Sequence, residues 1–205
     1  MPEPVKRGSP SKSGRGQART RFARRAVIDA ARTLFLERGY VATTIEAISE
    51  HSDVPSATVY RLFASKLGIL RALLDISIAG DDEPLAVQDR PDVASLLTEP
   101  DPHALLAGFA GVTTAINQRT SDVYCALASA AGSDPAAAEL LREIRQQRDQ
   151  GQRRIARALA RAHALKPGLR EGGAADLIHA LMSPELYRLL VGDRGWTPQR
   201  YQQWL

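Results

Sequence analysis

The side chains best suited to chemistry lie close together between residues 56 and 61. Serine and threonine hydroxyls bond to base edges or phosphates, and the methyl groups of alanine and threonine contact the thymine methyl. An arginine guanidinium forms two hydrogen bonds with guanine, and a tyrosine hydroxyl is suited to a phosphate oxygen. The segment supplies all of these groups in Ser56, Ala57, Thr58, Tyr60 and Arg61. Its composition therefore indicates contact with double-stranded DNA.

These side chains belong to the second of two short helices that a tight turn separates. Thr43 followed by Glu46 predicts a capping box at the start of the first short helix, which ends near residues 51–53. Pro55 fits the first turn of the second short helix, where a missing N–H has no cost. The length of the pair is that of a helix-turn-helix unit. An amphipathic helix, ending at Gly39, precedes it.

A longer helix, predicted over residues 66–79, follows the helix-turn-helix unit. Ser65 is placed to cap it, and Lys66 then lies at its N-terminus. Free N–H groups and the helix dipole favour an anion at such a position. We therefore expect Lys66 to contact a DNA phosphate.

The positive charge of the chain is concentrated at its N-terminus. Residues 1–25 hold eight lysines and arginines against Glu3 alone, whereas the whole chain of 205 residues has a net charge of +4. Residues 1–20 are rich in glycine, serine and proline and are expected to form a disordered cationic arm. Arg19 and Arg21 lie closest to the folded part and are expected to reach the adjacent minor groove.

Residues 21–80 resemble the DNA-binding domain of TetR-family (tetracycline-repressor-like) transcriptional regulators. The resemblance rests on AVIDAARTLFLERGYVATTIEAISEHSDVPSATVYRLFASKLGILRALL, from Ala26 to Leu74. Its shared elements are LF…RGY…TT at the end of the first helix, TVYxxF in the recognition helix and SK at the next helix start. Members of the family are homodimeric, ligand-responsive regulators. The resemblance therefore implies a repressor that binds a palindromic operator and is released by a small-molecule ligand.

The resemblance also implies a role for each matching residue. Thr44 corresponds to the cap of the second helix, next to the DNA backbone. The groove-facing and phosphate-binding positions correspond to the following residues: Ser56, Ala57, Thr58 and Arg61 in the groove, and Tyr60 and Lys66 at phosphates. Two positions depart from the family pattern. Asp53 replaces a glycine of the turn, and Pro55 replaces a serine or threonine that caps the recognition helix.

The remaining sequence predicts an all-α protein with a larger C-terminal helical domain. The expected division is an arm over 1–20, a three-helix helix-turn-helix DNA-binding domain over 21–79 and a ligand-binding and dimerisation domain over 80–205. Cap and periodicity signals predict these further helices: 92–97, 101–117, 123–131, 134–164, 174–191 interrupted by Pro184, and 197–205.

The C-terminal domain has two expected functions. Apolar and aromatic residues near the end of the chain, together with the resemblance, predict a homodimer interface formed by Leu181, Leu186, Leu189, Trp196, Tyr201 and Trp204. The alternative is that they close the core of a single chain. A pocket for an unknown small-molecule effector is expected to be lined by His103, Phe109, Tyr124, His179 and Met182.

Other chemistry has little support in the sequence. The four histidines have no metal-ligand spacing, and Cys125 is the one cysteine, so no metal, cofactor or enzymatic activity is expected. No apolar run approaches the length of a membrane span, and we expect a cytoplasmic protein. The alternative function is a helical ligand-binding or enzymatic module whose basic arm binds nucleic acid without specificity.

Overall fold

The computed structural model describes residues 12–80 and 91–205, and in these ranges every regular element is helical. The all-α prediction is confirmed. The first eleven residues of the expected arm and the connector 81–90 lie outside the described residues. In neither described range does a helix combine the length and apolar character that a membrane crossing requires. The helices are α1 (Lys12–Ala42), α2 (Ile45–Ser52), α3 (Ser56–Phe63), α4 (Lys66–Ala79), α5 (Pro91–Leu96), α6 (Pro102–Ala130), α7 (Pro135–Arg161), α8 (Glu171–Leu181), α9 (Pro184–Tyr187), a π-helical turn (Arg188–Asp193) and α10 (Pro198–Trp204).

Helices α1–α4 form a unit that we call the reading head. The path of α1 breaks at Gly39, whose φ of 78° favours glycine. The buried Thr43 hydroxyl then donates to the carbonyls of Leu34 and Gly39. Thr44 caps α2 instead, accepting the Ala47 N–H at 3.1 Å. The capping box predicted at Thr43 is therefore wrong by one residue, because the Thr43 hydroxyl bonds to α1.

The expected disorder of the arm does not hold for its described part. Residues 12–20 are helical and form the first turns of α1. Glutamine, alanine and arginine are good helix formers, and they extend a helix whose later turns pack in the core. The Thr20 hydroxyl also donates to the Gly16 carbonyl. A basic composition without apolar residues therefore indicates exposure here, and not disorder.

Helices α5–α10 form the body, and its longest element differs from prediction. The helices expected over 101–117 and 123–131 are one helix, α6, of 29 residues. Thr120 and Ser121 read as a polar break in the sequence, yet both are buried, and the Thr120 hydroxyl donates to the Ile116 carbonyl. The helix expected over 174–191 is divided into α8, α9 and the π-helical turn.

Two apolar clusters hold the molecule together. The first, which we call the head cluster, joins buried residues of α1–α4 to the C-terminal part of α6 and the N-terminal part of α7. Its contributions from the body are Val123, Tyr124, Leu127, Ala130, Ala137, Leu140, Leu141 and Ile144. The second, the distal cluster, joins the opposite ends of α6 and α7 to α8. Helices α6 and α7 therefore span both clusters and connect them.

Candidate DNA-binding site

The turn between α2 and α3 accommodates both departures from the family pattern. Asp53 adopts the left-handed conformation, with φ 53° and ψ 25°, which aspartate tolerates better than most residues. Pro55 lies at the N-cap of α3, one position before the expected first turn, and no side chain caps this helix. The Thr58 N–H donates to the Pro55 carbonyl at 2.7 Å. The helix-turn-helix geometry is thus retained with a proline cap.

Helix α3 buries one face and exposes the other. Val59 and Phe63 are buried in the head cluster and fix the orientation of the helix. Ala57 and Arg61 are exposed, as is 48% of Tyr60. Ser56 and Thr58 are half-buried beside them. The five residues of α3 that are predicted to contact DNA therefore lie on one short helix, and their side chains are accessible to a DNA duplex.

Thr44 lies at the exposed N-terminus of α2. Its hydroxyl oxygen accepts the Ala47 N–H, which leaves the hydroxyl proton available to an external acceptor. The Lys66 side chain, in contrast, is directed into the protein. Its ammonium donates to the carbonyls of Tyr40 (2.7 Å), Thr43 (2.7 Å) and Val41 (3.3 Å), and it lies 4.4 Å from the centre of the Tyr40 ring.

The expected phosphate contact by the Lys66 ammonium is not supported by this geometry. An ammonium has three donors, and all three are directed at backbone carbonyls that follow the break in α1. Burial lowers the pKa of Lys66, which agrees with a group withdrawn from water. The residue holds the junction of α1 and α2 against the start of α4, and so it positions the reading head.

Replacement of Lys66 by methionine distinguishes these roles. We expect Lys66→Met to destabilise the protein by about 1–3 kcal/mol, because three carbonyls lose a charged donor. The salt dependence of DNA binding should stay unchanged, because no phosphate contact is lost. The measurements are thermal unfolding and operator affinity at several salt concentrations. A log–log slope shallower by about 0.9 would instead show that Lys66 neutralises a phosphate.

Arg24 is a site residue that the sequence argument missed. Its guanidinium lies 4.9 Å from the centre of the Phe63 ring, at the end of α3. It lines a cleft of about 360 Å³ between α1, α3 and α4, together with Arg61, Arg71 and Asp75. Burial raises the pKa of Asp75, while Arg71 and Arg24 lower it. The signal in the sequence was the spacing of three residues from Arg21 to Arg24 to Val27, which places both arginines near the face that α1 buries.

The basic surface continues from this cleft along the first turns of α1. A second, open cleft is lined by Gly16, Gln17, Thr20, Arg21 and Arg24. Arg21 therefore joins Arg24 and Arg61 in one continuous set of cations. Arg19 is exposed but does not line either cleft.

The five residues expected to line an effector pocket do not share one cavity. His103 is exposed at the start of α6, whereas Tyr124 is buried in the head cluster, about 30 Å further along the same helix. The prediction of one pocket lined by all five is wrong, because α6 is continuous. Phe109 and Met182 belong to the distal cluster. The half-buried His179 lies with Nδ1 2.7 Å from the Gln152 amide oxygen, and burial lowers its pKa.

The residues expected at a dimer interface divide into two groups. Leu181, Leu189 and Trp204 are exposed large apolar side chains, at 38%, 49% and 48%. Leu186 and Trp196 are half-buried. Tyr201 is fully buried within the chain, its hydroxyl donates to the Leu181 carbonyl at 2.7 Å, and burial raises its pKa to about 12. Tyr201 is therefore part of the core of a single chain, contrary to the prediction.

The geometry defines a helix-turn-helix protein whose recognition helix packs on a buried apolar cluster and is flanked by arginines. Residues 27–73 match the model for bacterial regulatory proteins of the tetR family. YdeS of Bacillus subtilis, an uncharacterized HTH-type transcriptional regulator, is 31% identical over 184 residues, covering 88% of this chain and 85% of that protein. TcmR of Streptomyces glaucescens, an HTH-type transcriptional regulator, is 38% identical over 88 residues, or 43% of this chain and 38% of TcmR.

The fold of the chain also has a counterpart among solved structures. The solved structure of an HlyIIR mutant protein superposes with a TM-score of 0.61 at 14% identity, covering 90% of this chain and 95% of that chain. That likeness concerns the fold. The chain belongs to the TetR family of bacterial regulatory proteins, and it is a DNA-binding transcriptional regulator.

Proposed function

We propose that this regulator is a repressor that binds a palindromic operator as a homodimer and leaves it when a small molecule binds to the body. The observation that carries the DNA-binding part is the exposed face of α3. It combines base-reading and phosphate-binding groups on one short helix whose opposite face is buried. A protein that binds nucleic acid through its basic arm alone has no need of such a face.

Each contact has a role set by its chemistry. Arg61 pairs with guanine, and the small side chains before it in α3 contact neighbouring base edges. Tyr60 and Thr44 bind phosphates through their hydroxyls. Arg21 and Arg24, along the two clefts, bind the backbone beside the recognition helix. Arg19 adds charge from the exposed side of α1 without reading sequence.

The exposed apolar side chains of the body support the homodimer. Leu177 and Leu181 lie one turn apart on α8 and are 51% and 38% exposed, and Leu189 and Trp204 lie on the elements that follow. Apolar side chains gathered near one end of a chain favour a partner surface. A two-fold symmetric pair places its two recognition helices about 34–36 Å apart, one turn of DNA.

The proposed release by a ligand requires two states of the dimer. A small molecule shifts their populations only if it binds one state more tightly than the other. Helices α6 and α7 cross from the distal cluster to the head cluster, so a ligand that changes the packing of the distal cluster also acts on the reading head.

The replacement Arg61→Ala tests the base-reading role. Duplexes selected from a random pool by the full-length protein supply the operator. Arg61→Ala should weaken operator binding by about 1–3 kcal/mol and relax the preference at one base pair in each half-site, with little change for random duplex. Arg32→Ala, at an exposed arginine of α1, is the matched control and should keep the preference. An equal loss on operator and random duplex would show that Arg61 contacts only phosphate.

A further inference from the structure

The carboxyl end of α4 is held by a side chain from the body. The last carbonyls of a helix have no partner within the helix and lie at its negative end. Arg119 of α6 donates from Nε to the Ser77 carbonyl at 2.9 Å and from Nη2 to the Ile78 carbonyl at 3.2 Å. One guanidinium thus caps two carbonyls of the helix that joins the reading head to the rest of the chain.

The backbone at the end of α4 leaves space for this guanidinium. Gly80 ends the helix with φ 82°, and its N–H donates to the Ile76 carbonyl. A Cβ at position 80 would lie 3.1 Å from Arg119 Cζ, tighter than ordinary carbon contacts. Glycine therefore serves both the conformation of the turn and the approach of the arginine.

The same turn of α6 holds a second helix end. Asn117, which is buried, donates from Nδ2 to the Met182 carbonyl at 3.2 Å, at the carboxyl end of α8. The Tyr201 hydroxyl donates to the neighbouring Leu181 carbonyl. Residues two apart on an α-helix project about 200° from one another, so Asn117 and Arg119 lie on opposite sides of α6.

One turn of α6 therefore contacts both α4, the last helix of the reading head, and α8, which carries exposed leucines of the proposed dimer surface. We propose that Arg119 is a positioning residue that fixes the angle of the reading head against the dimer-forming helices and thereby selects the spacing between operator half-sites. The inference rests on the proposed homodimer. Arg119 thus determines which spacing of half-sites the protein selects, although it is not one of the residues that contact DNA.

A second polar contact between α4 and the body, seen among the described residues, is weaker. Arg71 and Glu143 form an ion pair at 2.6 Å, but both side chains are more than 40% exposed. Exposed pairs of this kind contribute little, because water and salt screen them. Arg119 is half-buried and forms two hydrogen bonds in a fork whose geometry lysine and glutamine do not reproduce.

The test is a selection of duplexes from a random pool by the full-length protein and by Arg119→Gln. Wild type should select paired half-sites at one spacing. Arg119→Gln should select the same half-site sequence over two or more spacings, and it should bind the wild-type operator on the order of tenfold more weakly. Its affinity for a single half-site should be unchanged, a result that a misfolded reading head would not give. Arg142→Gln, at an exposed arginine paired with Glu139, is the matched control and should keep one spacing.

A second variant keeps the test decisive if Arg119→Gln is unstable. Arg119→Lys retains the charge without the fork and should broaden the spacing to a smaller extent. One spacing and wild-type affinity in the stable variant would overturn the inference. A wild-type protein that selects no paired half-sites would instead contradict the proposed dimer, and the positioning role would fall with it.

Discussion

The variant Gly68→Ala is expected to lose sequence-specific DNA binding together with a large part of its stability. Gly68 lies in the first turn of α4, and a Cβ there would overlap the backbone carbonyl oxygen of Phe63, the last residue of α3. The intervening Ala64 already has a positive φ of 62°, and its N–H is bonded to the Tyr60 carbonyl at 2.8 Å. The backbone cannot yield without moving the recognition helix.

Helix propensity and steric overlap have opposite effects on the stability of this variant. Alanine is a better helix former than glycine by about 1 kcal/mol, so propensity alone predicts stabilisation. Overlap with the backbone at the junction of α3 and α4 costs more, on the order of 3 kcal/mol. Gly151→Ala is the matched control, because a Cβ at that position in α7 meets no atom within 4 Å, and it should be neutral or stabilising. Denaturant unfolding and operator titration measure both effects, and a Gly68→Ala protein as stable as wild type would contradict the expected overlap.

The variant Leu181→Asp should convert the proposed homodimer to a monomer. Its side chain is 38% exposed in the single chain and lies one turn from Leu177 on α8. An aspartate there would place an unpaired carboxylate in an apolar interface, a penalty of several kcal/mol. A monomer binds the operator through one reading head only and loses the extra affinity that two linked reading heads provide. Operator affinity should therefore fall by about 10²–10⁴-fold.

Sedimentation at micromolar concentration and operator titration measure the two effects. Leu36→Asp introduces the same charge at an exposed leucine of α1 and should leave the dimer intact. A Leu181→Asp protein that sediments as a dimer would show that α8 lies outside the interface. A monomeric wild-type protein would contradict the homodimer as a whole.

Features set by local chemistry were predictable from the sequence. The helices predicted to begin at 101, 134 and 197 are present, and each starts with a proline that follows its cap: Asp101, Asp134 or Thr197. Ser65 caps α4, as expected. Each cap depends on a hydroxyl or carboxylate and on N–H groups two or three residues later. The predicted helix at α3 is also confirmed, although no side chain caps it; its buried Val59 and Phe63 fix it in place.

Features that depend on distant partners were not predictable. Lys66 bonds to carbonyls 23 to 26 residues away, and Arg24 lies over a ring 39 positions later. Local spacing can place such a side chain on one face of its helix, but it does not identify the distant partner. The sequence predicted two helices where α6 is one, because the polar residues Thr120 and Ser121 are typical of a loop. Their burial depends on neighbours that the local sequence does not show. Tyr201 was misassigned for a related reason, since an aromatic residue near the end of a chain serves a core or a partner equally well.

The head cluster determines which segments must be transferred together when the DNA-binding part is grafted onto another regulator. The reading head ends at residue 80 in the sequence, yet its apolar surface is completed by residues 123–144 of the body. A graft that transfers residues 1–80 alone would join that surface to a foreign pair of helix ends, and cavities or overlaps in the shared core would follow. The transferable unit is therefore discontinuous in sequence: α1–α4 together with the hairpin formed by the end of α6 and the start of α7. A chimaera should therefore acquire the DNA specificity of this chain only when both segments are transferred together.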